Sequence, residues 1–155
     1  MPIPAITEGG VLPEGIHDCS LDEVRVMFAA SGERAKLLDR FHQFLDRLGE
    51  FVPGMTTTIY LDGSFITQWE GCNDIDVVLE ARDFENEKSR YLRTLMSERV
   101  RGEFAENYKV VLHVVVPGLR GRDHRQWFQN VKGEEAWRFG NEIGALKKGI
   151  VRLRV

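Results

Sequence analysis

Between Ser20 and Leu48 the apolar positions recur at helical spacing. Ser20-Leu21-Asp22-Glu23 has the arrangement of a capping box, in which the serine hydroxyl takes a free amide and the glutamate reaches back. It predicts a short helix over about Leu21 to Ala30, ended by Ser31-Gly32. Leu37, Leu38, Phe41, Phe44, Leu45 and Leu48 then share one face of a second helix, Glu33 to about Gly49, while Arg40, Gln43, Asp46 and Arg47 face out. Pro53-Gly54 forces a turn, and from Thr56 the period becomes two. Thr57, Ile59 and Leu61 alternate with Thr58, Tyr60 and Asp62, which predicts a strand ending at Asp62. Gly63-Ser64 opens a turn into a short irregular stretch, 65–73. A second strand follows from Asp74 to about Glu80. A charged amphipathic helix runs roughly from Glu85 to Glu103, with Tyr91, Leu92, Leu95 and Val100 as its apolar positions. The segment Lys109 to Val116 is nearly all apolar and reads as a buried central strand, stopped by Pro117-Gly118.

The two ends have no such periodicity. Residues 1–19 carry Pro2, Pro4, Gly9-Gly10, Pro13 and Gly15, which exclude a regular helix and predict an extended arm on the domain surface. Residues 119–124 read as an Arg- and Gly-rich loop. A helix over about Asp123 to Val131 carries Trp127 and Phe128, and Ile150 to Val155 reads as a final edge strand. The pattern as a whole is that of an α/β (α+β) domain covering residues 1–155, a small mixed sheet flanked by helices.

Composition narrows the class. A chain of 155 residues suits one core, and 43% hydrophobic with 29% charged residues is ordinary for a globular protein. A formal net charge of -3 argues against nucleic-acid binding through bulk charge. Cys19 and Cys72 form no metal-ligand pattern and read as free thiols of a reducing compartment. Met1-Pro2-Ile3-Pro4 lacks the features of a signal peptide, and no apolar run is long enough to span a bilayer, so the expectation is a cytoplasmic protein with no membrane partner.

The chemistry concentrates in two short segments. In Asp74-Ile75-Asp76-Val77-Val78-Leu79, strand alternation puts both aspartates on one side and Ile75, Val77 and Leu79 on the other. Neighbouring carboxylates repel in a poorly solvated cleft, and a divalent cation, Mg²⁺ or Mn²⁺, relieves that repulsion. Nine residues lie between this pair and Gly63-Ser64, directly after the preceding strand. Glycine lets a phosphate approach the backbone, and the serine hydroxyl and the amides that follow can donate to its oxygens. Each segment has a bland reading as well, a solvated strand end or an ordinary turn. Together, in strand–turn–strand order, they suit phosphoryl or nucleotidyl transfer.

In this order the residues resemble the signature of the DNA polymerase β-like nucleotidyltransferase superfamily. The resemblance implies a nucleotidyltransferase-like fold, with Asp74 and Asp76 as metal ligands and Gly63 and Ser64 holding a nucleoside triphosphate. More closely, the chain resembles a bacterial nucleotidyltransferase-like family. That likeness is carried by Ile3-Pro4-Ala5, Leu12-Pro13-Glu14-Gly15-Ile16-His17, Asp62-Gly63-Ser64-Phe65, Asp74 through Leu79, and Lys148-Gly149-Ile150-Val151-Arg152. One departure stands out. The superfamily usually has a third carboxylate on a later strand, and Lys109 to Val116 contains none. His113 takes that position, either as a proton acceptor or ligand for a softer metal, or as a hydrogen-bonded core residue.

The remaining candidates stay open in the same way. Asp62 either approaches the cleft or stabilises the turn. Lys148, with Lys147, Arg152 and Arg154, either meets the triphosphate or guards an edge strand. Arg120, Arg122 and Arg125 read as RNA-phosphate contacts or a solvated loop, and Trp69 as a base-stacking platform or packing. The expected function is metal-dependent transfer of a nucleoside monophosphate from a nucleoside triphosphate onto a hydroxyl of protein, RNA or a small molecule. In it Asp74, Asp76 and His113 are catalytic, and Gly63, Ser64 and Lys148 bind the nucleotide. The alternative is a catalytically weakened domain that binds nucleotide or a protein partner, as in toxin–antitoxin or phage-defence systems.

Overall fold

The structure, a computed structural model, describes residues 3–52, 57–68, 70–81, 89–115 and 149–154. Its strands are β1 (Ile16–Ser20), β2 (Thr57–Asp62), β3 (Ile75–Ala81), β4 (Val110–Val115) and β5 (Ile150–Arg154). Its helices are α1 (Leu21–Phe28), α2 (Gly32–Phe51), α3 (Ser89–Met96) and α4 (Glu98–Tyr108), with a one-turn 3₁₀ segment at Ser64–Ile66. The five strands form one mixed sheet in the order β1-β5-β2-β3-β4. β2 runs antiparallel to both of its neighbours, and the β1–β5 and β3–β4 pairs are parallel.

The helices follow the predicted signals. Ser20 caps α1, accepting from the Glu23 amide while the Glu23 carboxylate accepts from the Ser20 amide. The buried stripe of α2 is Leu37, Leu38, Phe41, Phe44 and Leu48. Phe44 meets Phe104 of α4 edge to face, with ring centroids 5.0 Å apart. These residues join Ile59, Leu61, Ile75, Val77, Leu79, Leu112, Val151 and Leu153 of the sheet in one hydrophobic cluster. No helix among the described residues is long and apolar enough to cross a membrane.

Four readings of the sequence change. The segment before Ser20 is not wholly a surface arm: Ile16–Ser20 is β1, and Val11, Leu12 and Cys19 are buried. The C-terminal strand is internal, since β5 lies between β1 and β2. The apolar strand β4 pairs only with β3 among the described strands, and its last residues are only half-buried. Within its described part, from residue 89 on, the helix expected over 85–103 is two helices, because Ser97 accepts from the Val100 amide and starts α4 afresh. The expected elements over 119–148, including Lys148 and the tryptophans 127 and 137, lie outside the described residues, as does Trp69.

The N-terminal segment ties the two halves of the sheet together. The Gly149 amide donates to the Leu12 carbonyl, and the Ile150 amide to that of Gly15. On the other side, Val11 bridges to Thr67, and the Gln68 amide donates to the Gly10 carbonyl. Residues 10–15 therefore run from the stretch after the Gly63-Ser64 turn to the start of β5.

Candidate functional site

Registers fix which side chains share a face. Asp62 pairs with Asp76 across β2 and β3, Tyr60 with Val78, and Val78 with His113 across β3 and β4. Opposed residues in a ladder point to the same side. Asp62, Asp76 and His113 therefore occupy one face, opposite to Leu61, Val77 and Leu112. That face continues through Tyr60 to Arg152 of β5 and Asp18 of β1. Arg152 donates to both Asp18 carboxylate oxygens, at 2.5 and 2.8 Å. The bonds to Asp18, against the cost of partial burial, hold the Arg152 pKa above its usual range. Tyr60 is fully buried and donates its hydroxyl to Glu80 at 3.1 Å.

Asp76 is the centre of the arrangement. Gly63 adopts φ 75°, in the left-handed region that favours glycine. A Cβ built on Gly63 would overlap the Asp76 carboxylate and lie 3.0 Å from its Cγ and 3.2 Å from its Cβ. The bare Cα of Gly63 is thus what admits the Asp76 side chain to the turn. On the opposite flank, His113 Nε2 stands 4.0 Å from Asp76 Oδ1. Both side chains keep contact with solvent, at 32% exposure for His113 and 24% for Asp76, whereas Asp62 is 3% exposed. A carboxylate reachable from solvent yet held against a turn can meet a ligand; a sealed one cannot.

Asp74 lies one residue ahead of β3 and is half-buried. The Ile75 amide donates to the Lys109 carbonyl at 2.9 Å, so the β3–β4 ladder reaches the peptide that follows Asp74. Lys109 itself turns through φ 55° to end α4 and begin β4. Cys72 donates its thiol to the Asp74 carbonyl at 3.3 Å. Burial pushes the Cys72 thiol pKa up, partly offset by a hydrogen bond with the Ser64 side chain and by the charge of Arg34. A thiol held protonated in this way is a poorer nucleophile than a free one.

The Ser64 turn is held from behind. Its carbonyl accepts from the Thr67 amide at 3.2 Å, from Thr67 Oγ1 at 2.7 Å and from Arg34 Nη2 at 3.1 Å. Arg34 Nη1 donates to the Phe65 carbonyl at 2.5 Å, and the guanidinium lies 5.9 Å from the centre of the Phe65 ring. Sequence reasoning missed Arg34. One signal was available: it is a cation in the first turn of α2, the end of a helix where the dipole disfavours positive charge. Such a placement asks for a partner elsewhere.

Of the sequence-predicted site residues, the structure brings Gly63, Asp76 and His113 together, with Ser64 next in the turn and Asp74 leading into the same strand. Lys148 lies outside the described residues, one position before Gly149. Among the described residues no group of three or more His, Cys, Asp or Glu side chains is placed to hold a metal ion. Asp76 and the neighbouring imidazole offer a mixed oxygen and nitrogen donor set. The carboxylate suits a hard cation such as Mg²⁺, and the imidazole suits softer divalent metals.

A family model described as a family of unknown function, DUF6932, matches residues 4–154. Neither the curated proteins nor the solved structures contain a match to this chain.

Proposed function

We propose, for a chain that belongs to DUF6932, a family of unknown function, a metal-assisted transfer of a nucleoside monophosphate from a nucleoside triphosphate onto a hydroxyl group. The observation that carries this reading is the seating of the Asp76 carboxylate against the Cα of Gly63, with His113 4.0 Å away on the next strand. A phosphate received at the turn would lie beside a carboxylate and a proton acceptor, which is the company this reaction needs. A Mg²⁺ or Mn²⁺ ion held by Asp74 and Asp76 would supply charge neutralisation at the phosphates.

The chain's own residues do the rest. Gly63 and Ser64 orient the triphosphate through the backbone and the serine hydroxyl. The acceptor oxygen bonds to the α-phosphorus, the bond from that phosphorus to the bridging oxygen breaks, and pyrophosphate leaves. His113 takes the proton of the attacking hydroxyl. Lys148 and the acceptor, whether protein, RNA or a small molecule, complete the proposal.

The second reading is a nucleotide- or protein-binding module with weakened catalysis, of the kind found in toxin–antitoxin or phage-defence systems. It is favoured by the donor set: beside Asp76 on β4 stands an imidazole where a hard anionic ligand would serve two cations better. Titration with each nucleoside triphosphate in Mg²⁺ or Mn²⁺ separates the two. The enzyme reading expects binding that is lost in Asp74→Asn and label that moves from the α-phosphate to an acceptor. Binding without transfer to any acceptor supports the module, and no binding of any nucleotide sinks the enzyme reading and leaves the module only its protein-binding form.

A further inference from the structure

One strained residue stands beside the candidate site, and it carries a positive charge. We infer that Lys109 binds the phosphate groups of the nucleoside triphosphate; this rests on the nucleotide-binding reading above. The strand registers place it. Asp62, the residue before the Gly63-Ser64 turn, pairs with Asp76. Ile75 pairs with Val110, and its amide donates to the Lys109 carbonyl. The turn, Asp74 and Lys109 therefore lie at the same end of three adjacent strands, β2, β3 and β4. From β2 to β4 is two strand spacings, about 10 Å. Lys109 is exposed, and Asp76 and His113 on β3 and β4 also keep contact with solvent, so this end of the sheet can be reached by a ligand.

The backbone of Lys109 is what sets it apart. It holds φ 55° and ψ 42°, and among the described residues it is the one non-glycine with positive φ. The left-handed region disfavours a residue with a long side chain, and helix ends of this kind ordinarily take glycine. The turns at Gly63 and Gly71 meet the same demand with glycine. Strain of this sort collects where a side chain serves a ligand. A cation does suit the C-terminal end of α4, whose last turn has no basic residue. That gain is equally open to a residue within the last turn, where the backbone is unstrained. Among the described residues the Lys109 ammonium has no ion-pair partner, although Asp74 adjoins it across the β3–β4 ladder. The Gly63-Ser64 turn would hold the phosphates from the β2 side. Lys109 would meet them from the β4 side, with Asp74 and Asp76 between the two. Lysine suits this task because it binds phosphate as a point charge, without a fixed fork of donors.

The experiment measures affinity for a fluorescent nucleoside triphosphate and for the matching nucleoside, each with Mg²⁺, together with thermal unfolding. It uses the full chain and its Lys109→Gly, Lys109→Asn, Lys109→Arg and Lys36→Gln variants. Glycine and asparagine accept the left-handed backbone, so the first two variants remove the charge without adding strain. Both should melt no lower than the parent chain and bind the triphosphate about tenfold more weakly, the loss of one charge-assisted contact. The nucleoside should keep its affinity, and Lys109→Arg, which keeps the charge, should keep most of the triphosphate affinity. Lys36 pairs with Glu33 on the exposed side of α2 and controls for net charge, so Lys36→Gln should bind like the parent. Unchanged triphosphate affinity in Lys109→Gly, with the parent chain binding normally, overturns the role of Lys109 alone. An equal loss in Lys36→Gln does the same. A lower melting temperature with weaker binding of both ligands would assign Lys109 to the end of α4 and also overturn it. Failure of the parent chain to bind any nucleotide overturns the nucleotide reading and this inference with it. Should Lys109→Gly not fold, the same comparison is read from Lys109→Asn.

Discussion

Two glycines of this chain are each overrun by a neighbour, and the neighbours differ. A Cβ on Gly149 would strike the Pro13 carbonyl and lie 2.7 Å from Nε2 of the His17 ring. A Cβ on Gly63 would strike the Asp76 carboxylate. At Gly149 the intruder is backbone and an imidazole whose Nε2 lies 2.7 Å from the same Pro13 carbonyl, all of it engaged in joining the N-terminal segment to β5. At Gly63 the intruder is an acidic side chain still in contact with solvent. Both glycines belong to segments singled out in the sequence, yet one closes the sheet and the other adjoins the candidate site. A close approach alone therefore does not mark function; what stands at the other end of it does.

Substitution can break this comparison, and the largest effect is expected at the structural glycine. Gly149→Ala forces a Cβ against a carbonyl that cannot swing aside, and should cost about 3 kcal/mol in denaturant unfolding. Once folded at low temperature, that variant should bind nucleotide like the parent chain. Gly63→Ala should cost less stability, roughly 2 kcal/mol, from the left-handed φ and the displaced carboxylate. Its nucleotide binding should nevertheless disappear under conditions where the fold persists, as seen by far-UV circular dichroism. Equal loss of binding in both variants would erase the distinction drawn here.

The smallest effect concerns Cys72, beside the Ser64 turn. Burial raises its pKa, so the folded chain holds the thiol proton to higher pH than the unfolded chain does. Its contribution to stability is present in full below the unfolded thiol range and is lost as pH rises from there toward the folded value. Alkylation at pH 8 should accordingly run slower in the folded protein than in urea, counted by mass spectrometry. A rate equal to that of the unfolded thiol would mean that the turn is open on this side.

How much was legible in the sequence follows from how local each feature is. The α1 cap, the α2 stripe and the strand–turn–strand order around Gly63 depend on residues close together, and each was readable. β1 was not, because Ile16-His17-Asp18-Cys19-Ser20 has little strand character of its own and pairs with residues 150–154 at the far end of the chain. The order of strands was equally hidden: the valines of β4 suggest a centre and the arginines of β5 an edge, and the sheet places them the other way round among the described strands. For β5 the explanation is Asp18, which meets Arg152 across the ladder and lets a charged strand sit inside. In the site, Asp76 and its turn were visible as a motif. Arg34 was not, since its partners are carbonyl oxygens, which no side-chain pattern records.

The place of β5 between β1 and β2 has a consequence for synthesis. β2, β3 and β4 leave the ribosome in sequence and can pair as they appear. β1 emerges before any of them and, among the described strands, has only β5 as its partner. β1 must therefore wait for β5 before it is paired within this sheet, and a contact between residues so far apart in the chain is slow to form.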